Sequence, residues 1–193
     1  MKNELDLYYP TKPHRVNQAF GENANSFYAS LGMKGHNGID IGADMGTIVR
    51  AAHDGTVEYA GGELKEVIGV TIVTDKEYAY KDGTAYYKTI YWHLLSVAVK
   101  YKQKVRVGDV IGYADNTGMS TGSHLHIGLK PCTKQGDFII ENLEQSNGYF
   151  GSIDPAPYWN KIYAEDIIGV MAKLELLKQK LAELVAAFAK LKK

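Results

Sequence analysis

The sequence predicts a mainly β protein, an antiparallel sheet or half-barrel core followed by one C-terminal amphipathic α-helix. Three observations predict it. Short segments rich in Val, Ile, Thr and Tyr, many of them alternating apolar and polar residues, recur from Arg15 to Leu129. Twenty glycines against five prolines supply turns between them. From Ala164 to Lys193 there is no proline and one glycine, and the apolar residues change to a three-four spacing.

Residues 1–13 read as an extended leader with two prolines. Strands are expected at Arg15–Phe20, Gly38–Ile41, Ile48–Ala51, Gly55–Ala60, Val67–Thr74, Ala85–His93, Val110–Tyr113 and His124–Leu129. Gly21–Gly35 and Ala114–Ser123 read as loops and, by their position, as walls of a groove. The stretch Thr74 to Lys88, rich in Tyr and Lys, extends a hairpin near His93. Ile167, Val170, Leu174, Leu177, Leu181, Leu184, Phe188 and Leu191 form a heptad seam on one long helix. Glu165 and Asp166 open it and Lys190, Lys192 and Lys193 close it, as the helix dipole favours. A strict seam with mixed charges favours packing on the domain or on a copy of itself; the alternative is a basic amphipathic helix that touches a membrane surface. At 193 residues, the chain divides into residues 1–160 and the helical segment 161–193.

Composition narrows the function. Lysines and arginines balance acids at 22 each, so no general attraction to nucleic acid is expected. Fourteen tyrosines suit strand packing. The lone cysteine, Cys132, permits no internal disulfide and lies in no catalytic pattern, so it reads as an inert thiol. No stretch is apolar enough to span a bilayer. Met1 to Pro10 has no apolar run and is not a secretory signal.

The chemistry lies in two histidine-bearing segments. His124 and His126 are two apart in a strand-like stretch, so they share a face roughly 6.6 Å apart along it. One can bind a metal while the other reaches its water, or both can bind; spacing does not choose. His36 and Asp40 would be neighbours on a helix, but Gly35, Asn37 and Gly38 oppose one. On a straight strand they would stand roughly 13 Å apart. They converge only if the chain turns at Asn37-Gly38, leaving His36 on a loop and Asp40 at the start of a strand. Three imidazoles and a carboxylate suit Zn²⁺. His93, in Tyr91-Trp92-His93-Leu94, is a further imidazole. His14 and His53 have no motif around them and read as packing residues.

The segments His36-Asn-Gly-Ile-Asp40, Tyr91-Trp-His93-Leu and Gly122-Ser-His124-Leu-His126 resemble the three motifs of the lysostaphin/LytM-type zinc metallopeptidases, which cut peptide bonds in bacterial peptidoglycan. Gly46-Thr-Ile-Val, Asp54-Gly-Thr-Val, Val107-Gly-Asp-Val-Ile-Gly and the later Asp154-Pro155 resemble the family's connecting text. The resemblance covers roughly residues 14–160. It implies one Zn²⁺ per chain held by His36, Asp40 and His126, with His124 as general base and His93 orienting substrate or stabilising the oxyanion. Three protein ligands with a fourth position open is the pattern of a catalytic zinc site. The implied partner is a peptidoglycan peptide at the cell wall, which a chain without a signal reaches if it is phage-encoded or has lost a leader. Ile127-Gly128 departs from the family, which often has an aromatic residue and Glu there. In this family a loop can occupy the zinc, and Asn23 or Asn25 would be the occupant here.

Two other readings compete. Asp54-Gly55-Thr56-Val57 with Val107-Gly108-Asp109-Val110-Ile111 also resembles non-catalytic biotinyl/lipoyl-type half-barrels. Those need a hairpin lysine in a Met-Lys-Met-like turn, which is missing, and they leave the histidines unexplained. A scaffold acting through the C-terminal helix would predict lost metal ligands, and none is missing.

Overall fold

The structure, a computed structural model, describes residues 4–12, 14–22, 26–62, 67–116, 122–136 and 138–191. Antiparallel pairing dominates. The large sheet runs β10 (Lys104–Val105), β5 (Gly55–Gly61), β6 (Gly69–Thr74), β8 (Gly83–Trp92), β12 (His124–Gln135), β3 (Ile39–Gly42) and β2 (Val16–Gln18). Two more strands attach to it, β7 (Tyr78–Tyr80) on β8 and β13 (Phe138–Asn142) on β12. A three-stranded sheet, β4 (Ile48–Arg50), β11 (Val110–Ala114) and β9 (Leu94–Val97), completes the core. Ile41, Ile72, Tyr91 and Leu125 of the large sheet meet Val49, Leu94 and Ile111 of the small one in a single apolar cluster.

Strand periodicity decides which residues face the site. On β12, Leu125, Ile127 and Leu129 are fully buried in that cluster, so His124 and His126 lie on the opposite face. β12 is antiparallel to β3 on one side, pairing His126 with Asp40, and to β8 on the other, pairing His126 with Trp92. The register thus brings the two distant histidine segments side by side.

Four expectations change. Residues 7–9 are no loose leader: β1 (Leu7–Tyr9) pairs in parallel with β14 (Trp159–Tyr163), and Leu7 is fully buried. β12 continues past Leu129 through Pro131 to Gln135; the Pro131 carbonyl accepts the Leu143 N–H at 3.0 Å. The hairpin within Thr74–Lys88 forms, but its turn at Lys81-Asp82 lies at the far end of β8 from His93, roughly 30 Å along the strand. Its tip is tied down where Tyr80 and Lys81 donate to the Glu144 carboxylate. The stretch Gly21–Gly35 contains a short helix, α1 (Ser26–Ser30).

The C-terminal helix α2 (Ala164–Leu191) follows β14 directly. Its first turn is anchored. Ala164 is buried, Lys12 pairs with Asp166, and Gly108 packs so closely on Ala164 and Ile168 that a side chain there would collide with them. Beyond that turn the seam does not pack on the domain: Leu174, Leu177, Leu181, Leu184 and Phe188 are exposed, the last by 66%. No described helix is long and apolar enough to cross a membrane.

Candidate metal centre

His36 sits on the loop before β3, as the Asn37-Gly38 turn predicts. The loop is clamped by two backbone bonds, Gly21 N–H to the His36 carbonyl at 2.8 Å and His36 N–H to the Glu22 carbonyl at 3.0 Å. Nδ1 of His36 lies 3.2 Å from the Ala19 carbonyl oxygen. Donating there leaves Nε2 as a bare lone pair facing inward, as a ligating imidazole requires.

Three donor atoms converge. His36 Nε2 is 3.0 Å from His126 Nδ1 and 3.2 Å from Asp40 Oδ1, and His126 Nδ1 is 3.0 Å from Asp40 Oδ1. Ligands bound tetrahedrally at roughly 2.0–2.1 Å stand roughly 3.3 Å from one another. The triangle is therefore close to the size that a small divalent cation spans. Among the described residues His36, Asp40 and His126 are the group with this convergence.

The electrostatics favour the ligating protonation states. Burial alone would raise the Asp40 carboxyl. Hydrogen bonds and charge from His126 and His36 outweigh it and hold the group well below the usual carboxylate range. Burial pushes the His126 imidazole down, against the pull of Asp40. Near neutrality Asp40 is an anion and His126 neutral, the forms in which each binds a cation.

His124 and His93 stand beside this triangle. His124 Nδ1 is 2.7 Å from the Gly122 carbonyl, and its Nε2 reaches within 3.6 Å of Asp40 Oδ2. The His93 ring centroid lies 4.6 Å from that of His124. His93 adopts φ 63°, a left-handed conformation rare for a residue with a side chain. Successive strand residues normally face opposite ways, yet Trp92 and His93 both line the same groove. The reversed backbone at His93 accounts for that.

Two positioning residues escape sequence reasoning. Gly38, read only as a turn residue, leaves room for His126: a Cβ there would stand 2.6 Å from its Cε1 and 2.7 Å from its Nε2. Asp115 donates its N–H to the His93 carbonyl at 2.9 Å and accepts the His124 N–H on its own carbonyl at 3.2 Å, joining two site histidines through the backbone of one residue. Nothing in the expected loop Ala114–Ser123 signals it. His14 and His53 lie apart from the centre, His53 buried between the Asp54 carbonyl and the Thr89 hydroxyl.

The site opens on a groove of about 710 Å³. Phe27, Tyr28, Leu31 and Met33 contribute to its lining, as do Val67 and Trp92, so the expected wall from Gly21–Gly35 is present. Gln18 Nε2 donates to the Tyr28 hydroxyl at 2.9 Å and fixes it. Asn23, Asn25 and residues 117–121 lie outside the described residues, so the expectation of a plugging asparagine falls there too.

A His/Asp/His triangle with two further imidazoles, set in a groove across an antiparallel sheet, defines a metallopeptidase-type centre. Residues 34–138 match peptidase family M23, and the chain belongs to that family. It is 38% identical over 91 residues to the DD-carboxypeptidase/endopeptidase Mpg of Neisseria meningitidis, covering 47% of this chain and 19% of that one. It is 33% identical over 98 residues to a glycyl-glycine endopeptidase of Staphylococcus capitis, covering 50% of this chain and 25% of that one. The chain thus spans a quarter or less of the length of these relatives. The fold is similar to the catalytic domain of lysostaphin from Staphylococcus simulans, with a TM-score of 0.54 at 21% identity over 75% of this chain and 91% of that one.

Proposed function

We propose that this chain is a zinc metalloendopeptidase that hydrolyses peptide cross-links of bacterial peptidoglycan at the cell wall. His36, Asp40 and His126 hold one zinc. The observation that carries this reading is the triangle of donor atoms, 3.0 to 3.2 Å on a side, opening on a groove beside a further pair of imidazoles. When bound, the ion supplies Lewis acidity and makes water a nucleophile at neutral pH.

The chain's own residues do the rest. His124, with Nδ1 turned to the Gly122 carbonyl, presents Nε2 to the centre and takes the proton of the attacking water. His93, beside it, donates to the carbonyl oxygen as negative charge develops there. Trp92 and the α1 wall hold the peptide and exclude bulk water. The expected division at residue 160 moves to the end of β14, whose Tyr163 pairs with Tyr9, so the peptidase unit runs through Tyr163 and α2 is the appendage. The relatives' names point to two bond types, a DD-peptide bond and a glycyl-glycine bond; the open groove suits an extended peptide of either kind.

The test combines elemental analysis with release of soluble fragments from purified peptidoglycan, with and without chelator. About one zinc per chain and chelator-sensitive release is the expected result, and fragment masses then name the bond. A zinc-free protein after supplementation overturns the assignment.

A further inference from the structure

The apolar face of α2 is the large feature that the peptidase reading does not use. Val170, Leu174, Leu177, Leu181, Leu184 and Phe188 are each between 48% and 67% exposed, on a helix roughly 42 Å long. Among the described residues, the helix is anchored at its N-terminal end, by the Lys12–Asp166 pair and the contact of Gly108 with Ala164 and Ile168.

The charges say what covers this face. At 3.6 residues per turn, Lys173 and Lys180 border the face on one side and Lys178 on the other. Glu175 and Glu183 lie on the back of the helix, away from it. In a two-stranded coiled coil the border positions meet their counterparts. Parallel strands would set Lys173 against Lys178, and antiparallel strands would set Lys178 or Lys180 near its own copy. Beyond the first turn, where Asp166 is held by Lys12, neither orientation gives a lysine border an acidic partner. Among the described residues, Glu175 pairs with Lys178 at 2.8 Å, and it comes from the same helix. Met171 and Val185, both exposed, widen the apolar stripe beyond a two-residue seam. A wide apolar face edged by three lysines, with no acid at a border position beyond the first turn, matches a bilayer surface: the leucines enter the acyl boundary and the lysine stems reach up to anionic headgroups.

We infer that α2 docks this protein on an anionic lipid surface, lying in the interface plane. This stands on the helix alone and does not depend on the peptidase chemistry.

The test is co-sedimentation of the full chain with vesicles of phosphatidylcholine, with and without phosphatidylglycerol, beside light scattering of the free protein. The expected result is a monomer that binds the anionic vesicles at least tenfold more tightly than the neutral ones. Replacing all three border lysines (Lys173→Gln, Lys178→Gln and Lys180→Gln) should weaken that binding on the order of a hundredfold, about one headgroup attraction per lysine. Leu177→Asp with Leu181→Asp should abolish it while leaving the near-ultraviolet dichroism of the domain unchanged. Equal binding to both vesicles, unaltered binding by the lysine variant, or a stable dimer that ignores vesicles overturns the proposal; the last assigns the face to a second copy.

Discussion

Gly38 performs two tasks at one position. With Asn37 it makes the turn that lets His36 and Asp40 converge, and its missing side chain makes room for the His126 imidazole. Only the first task is visible in sequence, because a turn is local and the clash involves a strand far along the chain. Gly38→Ala should therefore weaken metal binding roughly 10- to 100-fold, the usual effect of disturbing a ligand's support, measured by competition with a chromophoric chelator. Unchanged affinity would show that the His126 ring has free room to move. The convergence of His36 with Asp40 was legible, because the Asn-Gly turn between them lets the chain fold back; the full ligand set was implied only by the family resemblance. Which of His124 and His126 binds metal was not legible from spacing. Nδ1 of His126 stands within the triangle, whereas Nε2 of His124 lies 3.6 Å from the second oxygen of Asp40. We expect His126→Ala to lose zinc in elemental analysis. His124→Ala should keep zinc and lose at least about 100-fold in turnover, the scale of general-base catalysis; near-full activity would remove it from that role. Cys132 is buried and its thiol is pushed up to about 11, consistent with an inert side chain.

At the scale of elements, the long strands announced themselves and the short ones did not. β6 and β8 carry enough β-branched and aromatic residues to reveal a strand, whereas β1, three residues long, is shorter than any reliable period. Its partner β14 lies at the other end of the domain, a relation no local pattern contains. Leu7 is fully buried there, so Leu7→Ala should cost about 2–5 kcal/mol of stability, read as a lower urea midpoint. A change below about 0.5 kcal/mol, the range of surface substitutions, would mean that β1 is not part of the cooperative unit. The helix was legible in type and extent because its seam persists over four heptads. Its exposure was not, since a heptad repeat states that a face seeks cover and not whether the domain supplies it.

For the whole molecule, acid should be destabilising before any carboxylate titrates. His53 is enclosed between the Asp54 carbonyl and the Thr89 hydroxyl, and burial lowers it from 6.5 despite that carbonyl and the charges of Asp54 and Asp75. His14 shifts the same way, through burial. The unfolded chain then binds protons below pH 6.5 that the folded one refuses. Stability is full above that pH and falls as pH drops from it toward the lowered folded values, by up to about 1.4 kcal/mol per pH unit for each such proton. Urea melts of metal-free protein at about pH 7.5 and 5.5 should show a lower midpoint in the acid; chelation is needed because acid also strips a metal from its histidines. An unchanged midpoint would mean that these imidazoles take up protons in the folded state.

The pairing of β1 with β14 also sets an order of events during synthesis. β1 leaves the ribosome long before its partner and can pair only after Tyr163 has emerged. At translation speeds of about 5–20 residues per second that wait is roughly ten to thirty seconds. Throughout it, Leu5 and Leu7 stay unpaired and open to chaperones, and the large sheet can be complete before β1 has been tied in.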